Sequence, residues 1–188
     1  MPEHAIIVLT APSGAGKTTI AHRVLRQMDA LRFSVSATTR APRPEETDGE
    51  DYHFLSATEF KARRQSGDLL EYEEVYPDQF YGTMKQEVER SSPEHPVLLD
   101  IDVRGAANVK RTYGNEALVI FIAPPSFDVL KERLTGRGTE TSKAMHDRLK
   151  RAEMEMQRAD DFDAVVVNDD LDTAVQETLT HINRFVAS

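Results

Sequence analysis

The residues with the clearest chemical content form the stretch APSGAGKTT at 11–19, which follows directly on an apolar run at 6–9. A glycine-rich turn that leaves a buried strand and opens a helix points successive backbone N–H groups at one spot, beside the positive end of the helix dipole. Such a nest holds phosphate oxygens. Ser13, Gly14, Ala15, Gly16, Lys17, Thr18 and Thr19 are therefore expected to hold the phosphates of a nucleotide. Gly14 and Gly16 permit backbone shapes that a Cβ would block, Lys17 reaches the outer phosphates, and Thr18 offers a hydroxyl to Mg²⁺. The phosphate-loop pattern GxxxxGK[ST] begins with glycine, whereas this chain has Ala11. The amides nearest a phosphate belong to residues 13–18, so the change removes no donor. Ile20, Val24, Leu25 and Met28 then fall on one helical face, completing the order strand, loop, helix.

The remaining sequence must supply the elements that position this loop. A chain of 188 residues fits one full core with an inserted lobe. Its formal charge of −9 argues against a nucleic-acid partner, because such proteins collect Lys and Arg along the backbone-binding face. There is no cysteine, which excludes disulfides and thiolate metal sites. The N-terminal sequence lacks the pattern of a signal peptide, and no stretch approaches the ~20 apolar residues of a membrane span. A soluble, cytoplasmic protein with no membrane partner is expected, with its oligomeric state left open. The six histidines, at 4, 22, 53, 95, 146 and 181, lack the i, i+4 spacing of a helical metal pair.

Apolar runs at 6–9, 97–101, 118–122 and 165–167 read as buried parallel strands, each followed by a helical pattern. This alternation predicts an α/β fold, a parallel sheet flanked by helices. One helix begins near Ser126 and carries Val129, Leu130 and Leu134; the last shows Val175, Leu179, Ile182 and Val186. The stretch 33–96 breaks the rhythm with short strand-like pieces, FSVSATT, DYHFL, LLEYEEV and FYGT. Its one helix is announced by a capping box from Ser56 to Glu59 and stopped at Gly67. A charged region opening with two glycines around Arg137 reads as a mobile helical flap. The expected single domain thus has a core at about 1–35, 97–135 and 160–188, an α+β insert at about 36–96 and a helical lid at about 136–159.

The blocks SATTRAPRPEETDGEDYHF, LLEYEEV, FYGT, VLLDIDVRGA, IAPPS, RLTGRGTE and VVNDDL follow the phosphate loop in order along essentially the whole chain. In this the sequence resembles the guanylate kinases, P-loop nucleoside monophosphate kinases. The resemblance implies ATP and GMP or dGMP as substrates, with Mg²⁺ accompanying ATP. It implies that Ser36, Arg40, Arg43, Tyr52 and Tyr81 hold the GMP phosphate, as guanidinium forks and phenol hydroxyls are suited to do. It implies that Glu71, Thr83 and Asp102 read guanine, whose N1–H and N2–H₂ edge offers donors that a carboxylate accepts. Arg137 and Arg148 match the lid arginines, Asn168 a position near the ATP base, and Asp100 the acidic group of the Mg²⁺ shell. Asp100 and Asp102, two residues apart, are expected on one side of an extended strand.

The sequence departs from the family at Ala11, at Tyr72 where Trp is frequent, and at YPDQ before FYGT. Because the implied nucleophile is an already anionic phosphate oxygen, no general base is assigned. Catalysis then rests on Lys17, Mg²⁺, Arg43, Arg137 and Arg148 around the transferring group. Two rivals remain: an interaction module that keeps the fold but not the reaction, and a related kinase acting on another phosphorylated acceptor such as a ribose bisphosphate.

Overall fold

The computed structural model describes residues 3–76, 78–135 and 142–188. Its centre is a parallel sheet in the order β2 (Arg32–Phe33), β7 (Val97–Asp100), β1 (Ile6–Thr10), β8 (Ala117–Ala123), β9 (Ala164–Val167). The near-continuous apolar runs of β7, β1 and β8 are explained by burial on both faces, whereas the run at 165–167, expected to be buried, is an edge strand whose Val165 and Val167 are exposed. Ile7 and Leu9 of β1 face one layer, with Ile20 and Val24 of α1 (Lys17–Leu25) and Val175 and Ile182 of α7 (Leu171–Val186). Ile6 and Val8 face the other layer, with Ala106 and Val109 of α4 (Val103–Tyr113). The apolar faces expected of the first and last helices are the faces they bury.

A smaller sheet joins β4 (His53–Phe54), β3 (Ala37–Thr38), β6 (Gln79–Met84) and β5 (Leu69–Tyr76). Phe60 of α2 (Ala57–Ser66) packs on it with Ala37, Leu69 and Met84. The capping box is present in full: Ser56 Oγ accepts from Glu59 N–H at 3.2 Å, and Glu59 accepts from Ser56 N–H at 2.8 Å. Gly67 closes the helix in the left-handed region at φ 79°.

Four further expectations change. FSVSATT is not one strand: Phe33 pairs with Leu98 in the parallel sheet, while Ala37 and Thr38 pair in the smaller one. Ser34 N–H still donates to Leu98 O at 2.9 Å, so the chain crosses between sheets just after it. A short α3 (Lys85–Glu89), unannounced by any cap, follows β6. Strand β7 stops at Asp100, and Asp102 caps α4 by accepting from Gly105 N–H at 2.7 Å, so Asp102 does not continue the strand beside Asp100. Finally, α6 (Ser142–Met156) is not a bare flap. Met145, Leu149, Ala152 and Met156, at helical spacing, pack on Phe127, Leu130 and Leu134 of α5 (Phe127–Thr135).

Candidate active site

The loop between β1 and α1 has the shape its residues imply. Gly14 and Gly16 adopt φ of +89° and +91°, and a Cβ on Gly16 would lie 2.3 Å from Asn168 Nδ2. Helix α1 starts at Gly16 with no side-chain cap, which leaves its first amides for a ligand. Asn168, expected near a nucleotide base, is buried behind this loop. Its side chain donates to Ala15 O at 2.7 Å, its own carbonyl accepts from Arg133 at 3.2 Å, and it thereby fixes the loop from below. Ser13 is exposed and accepts from Arg148 Nη2 at 2.8 Å, which brings α6 to the loop. Thr19 is exposed on the first turn of α1. Arg137 lies outside the described residues.

Register Leu9↔Asp100 sets the loop beside the C-terminal end of β7. There Lys17 pairs with Asp100 Oδ1 and donates to Ile101 O at 2.8 Å, while Thr18 Oγ1 donates to Asp100 Oδ2 at 3.0 Å. Thr18 and Asp100 present oxygen donors at the mouth of the phosphate nest. Among the described residues no group of three His, Asp or Glu could cage a metal alone. That donor set suits Mg²⁺ arriving with phosphates and keeping most of its waters.

Opposite the loop, a cleft is lined by Ser36, Tyr52 and Tyr81, by Glu71, Glu73 and Asp102, and by Lys17 and Asp100. Arg40 stands against its wall, donating to Tyr81 Oη at 3.2 Å with its guanidinium 5.3 Å from the Tyr52 ring. Glu46 takes both Arg40 terminal nitrogens at 2.8 Å and also accepts from Arg43 N–H at 2.7 Å. Paired first with Arg40 and then with that amide, Glu46 is held down at about 2, and Arg40 is raised in turn by Glu46. Burial raises the Tyr52 phenol, so it stays a donor. The Arg43 side chain is exposed and does not line the cleft.

The acidic wall is set by strand register. Glu71 faces Thr83 across β5 and β6, and the buried Thr83 hydroxyl donates to Glu71 Oε1 at 2.6 Å. Burial raises the Glu71 carboxyl, the Thr83 hydroxyl opposes that, and the Asp102 charge adds to it. Its other oxygen lies against α4, where a Cβ on Gly105 would come within 2.9 Å of Glu71 Oε2. Glu73, one pleat further along, is pushed up to about 7 by burial and by Asp102. Burial works against the Asp102 charge as well, but hydrogen bonds from Glu73 and Gly105 N–H and the Arg151 charge lower it overall.

The structure thus brings together Lys17, Thr18, Ser36, Arg40, Tyr52, Glu71, Tyr81, Thr83, Asp100 and Asp102, with Arg148 at the loop. It adds four residues that the sequence did not single out. Glu73 could be found from its period-two spacing with Glu71, and Arg151 from its i, i+3 spacing with Arg148. Glu46 and Gly105 carry no such signal.

A family model for guanylate kinase matches residues 3–185. A guanylate kinase from Salinibacter ruber is 68% identical over 188 residues, covering 100% of both chains. One from Bacteroides fragilis is 46% identical over 185 residues, covering 98% of this chain and 91% of its own. The crystal structure of a guanylate kinase from Anaplasma phagocytophilum superimposes with a TM-score of 0.78 at 29% identity, covering 98% of this chain and 87% of that one.

Two measurements test this wall. Alanine normally exceeds glycine in a helix interior by about 1 kcal/mol, yet Gly105→Ala should bring no gain in thermal midpoint, because its methyl meets Glu71. A clear rise would show that the carboxylate is not held there. For Glu73 the folded protein keeps a proton that the unfolded chain has lost, so its contribution to stability falls as pH rises from about 4.5 to about 7. Urea midpoints of Glu73→Gln should accordingly gain on those of the wild type across that window; a constant difference would contradict the raised carboxyl.

Proposed function

Starting from the guanylate kinase family, to which this chain belongs, we propose that it transfers the γ-phosphoryl group of MgATP to GMP, giving ADP and GDP, with dGMP as a second acceptor. The observation that carries this reading is the polarity of the cleft: the Ser36, Tyr52 and Tyr81 hydroxyls at one end with the Arg40 guanidinium behind Tyr81, carboxylates at the other, and the phosphate loop alongside. A monophosphate suits the donor end. A base with a donor edge suits the carboxylate end, and adenine lacks that edge. Burial of Glu71 against Thr83 makes a mismatched base costly, since an unpaired buried carboxylate discriminates far more sharply than an apolar wall.

In this mechanism the amides of residues 13–18 fix the donor phosphates, and Asn168 and Arg133 hold the loop in shape from beneath. Lys17 turns from Asp100 to the outer phosphates, a short swing because both stand at the same edge. Thr18 and Asp100 would hold the Mg²⁺ that accompanies ATP, which would neutralise charge on the phosphates. Ser36, Arg40, Tyr52 and Tyr81 grip the acceptor phosphate, Arg43 turns in to it from its exposed position, and Glu46 keeps the Arg40 guanidinium aimed. Glu71, Thr83 and Asp102 orient guanine. An acceptor phosphate oxygen attacks in line, and the β–γ bridging oxygen leaves on ADP, with no general base needed. Residues 36–96 act as the acceptor arm and 136–159 as the lid, where Arg148 and Arg137 close over the transferring group and exclude water. No helix among the described residues is long and apolar enough to cross a membrane, and we place the reaction in cytoplasmic purine nucleotide metabolism.

The test is ADP release with MgATP and, separately, GMP, dGMP, AMP, UMP, CMP and ribose 1,5-bisphosphate, with product masses. Turnover should be confined to GMP and dGMP, and Lys17→Ala should lower it by at least about a hundredfold, the scale of losing one charge-stabilising donor, with the fold intact. Turnover with the ribose bisphosphate alone would discard the guanine reading. Folded protein silent with every acceptor would favour an interaction module.

A further inference from the structure

Arg151 of α6 has no part in the reaction just described, yet its side chain reaches into the acidic wall. Its Nη2 lies 3.2 Å from Asp102 Oδ2 and 3.2 Å from Glu73 Oε2, and its Nε donates to Glu155 Oε1 at 2.9 Å. The atom it takes on Asp102 is the significant one. Asp102 Oδ1 is committed to Gly105 N–H at 2.7 Å, and Glu71 Oε1 is committed to Thr83 at 2.6 Å. Asp102 Oδ2 is therefore, beside Glu71 Oε2, an acceptor open to a base, and a guanidinium holds it.

The chemistry of the two claimants is alike. The N1–H and N2–H₂ edge of guanine is an N–C–N unit with adjacent, coplanar donors, as is one side of a guanidinium fork. Arg151 offers Asp102 one of these donors, Nη2, in the place that one N–H of the guanine edge would take. We propose that Arg151 is a built-in surrogate for the guanine edge, occupying Asp102 until GMP displaces it and so setting the affinity for the acceptor base. Glu73 keeps the guanidinium at this position, since it accepts from the same nitrogen through both oxygens, at 3.2 and 3.3 Å. The contact joins α6 to the acidic wall from its open side, with Arg151 45% exposed, Glu73 19% and Asp102 24%. The surrogate can thus leave into solvent without disturbing the core. This inference rests on the assignment of Asp102 to guanine.

The sign of the effect separates this account from ordinary electrostatics. Removing a cation near the binding site of a dianion should weaken binding; removing an internal competitor should tighten it, because the competent state no longer has to be won from the paired one. The experiment is calorimetric titration of the full chain with GMP and with AMP, without ATP, at low ionic strength, for the wild type, Arg151→Gln, Glu73→Gln and the double variant. Thermal melts check that each is folded. Arg151→Gln should bind GMP about three- to tenfold more tightly, the scale of a partly exposed pair with more than one partner, and should not tighten AMP. Glu73→Gln should move GMP affinity the same way by less, the double variant should add nothing to Arg151→Gln, and the gain should shrink in about 0.5 M salt. Unchanged or weaker GMP binding by Arg151→Gln, with wild type binding GMP, overturns the surrogate alone. Wild type that fails to bind GMP overturns the guanine reading, and the surrogate falls with it.

Discussion

Glu71, Glu73 and Asp102 converge on one half-buried cleft, and the rest of the site is arranged around the energetic demand that makes. Carboxylates taken out of water need donors or they give up their charge. Each here has found a different answer. Glu71 has the Thr83 hydroxyl, Asp102 has the first turn of α4 and a guanidinium, and Glu73 is pushed toward the protonated state by burial and by its neighbour. The other end of the cleft has the opposite polarity, with the Tyr52 and Tyr81 hydroxyls in its lining and the Arg40 guanidinium backing them. A ligand that is anionic at one end and rich in donors at the other satisfies both ends together, which is the physical content of the guanylate kinase reading.

That polarity is imposed by strand register. In the smaller sheet, Glu71↔Thr83 and Glu73↔Tyr81 are cross-strand partners, so on one face the acids of β5 stand opposite the hydroxyls of β6. In the larger sheet, Leu9↔Asp100 and Leu9↔Ile120 align the C-terminal ends of three parallel strands, where open α/β sheets bind their ligands. The phosphate loop, Asp100 and the start of α4 all issue from that edge. A one-residue slip in either sheet would turn the functional side chains to the opposite face. The fully buried strand residues Ile6, Ile7, Val8, Leu9 and Ile120 hold the larger register in place.

What was legible in the sequence was what is local or periodic. The phosphate loop, the box from Ser56 to Glu59 and the faces of α1 and α7 involve residues within a few positions of one another, and the structure keeps them. The misreadings share a different cause. Phe33 and Ala37 sit in one run yet belong to two sheets, because each pairs with a strand distant in sequence, β7 or β6. Asp102 looked like the second acid of a strand and is a helix cap, since β7 ends two residues earlier. The α6 flap acquired a core only through Leu130 and Leu134 of the preceding helix. Gly105 matters through the close approach of Glu71 and leaves no trace in the local pattern, while Arg151 is hinted at locally by Arg148 one turn away but acts through contacts across 49 to 78 positions.

The most direct test of the central claim is a crystal structure of the protein with GMP bound. The account predicts the guanine edge within about 3.2 Å of Glu71 and Asp102, the phosphate against Arg40, Tyr52 and Tyr81, and Arg151 released from Asp102. A base turned out to solvent, or a phosphate seated away from Arg40 and Tyr81, would contradict it.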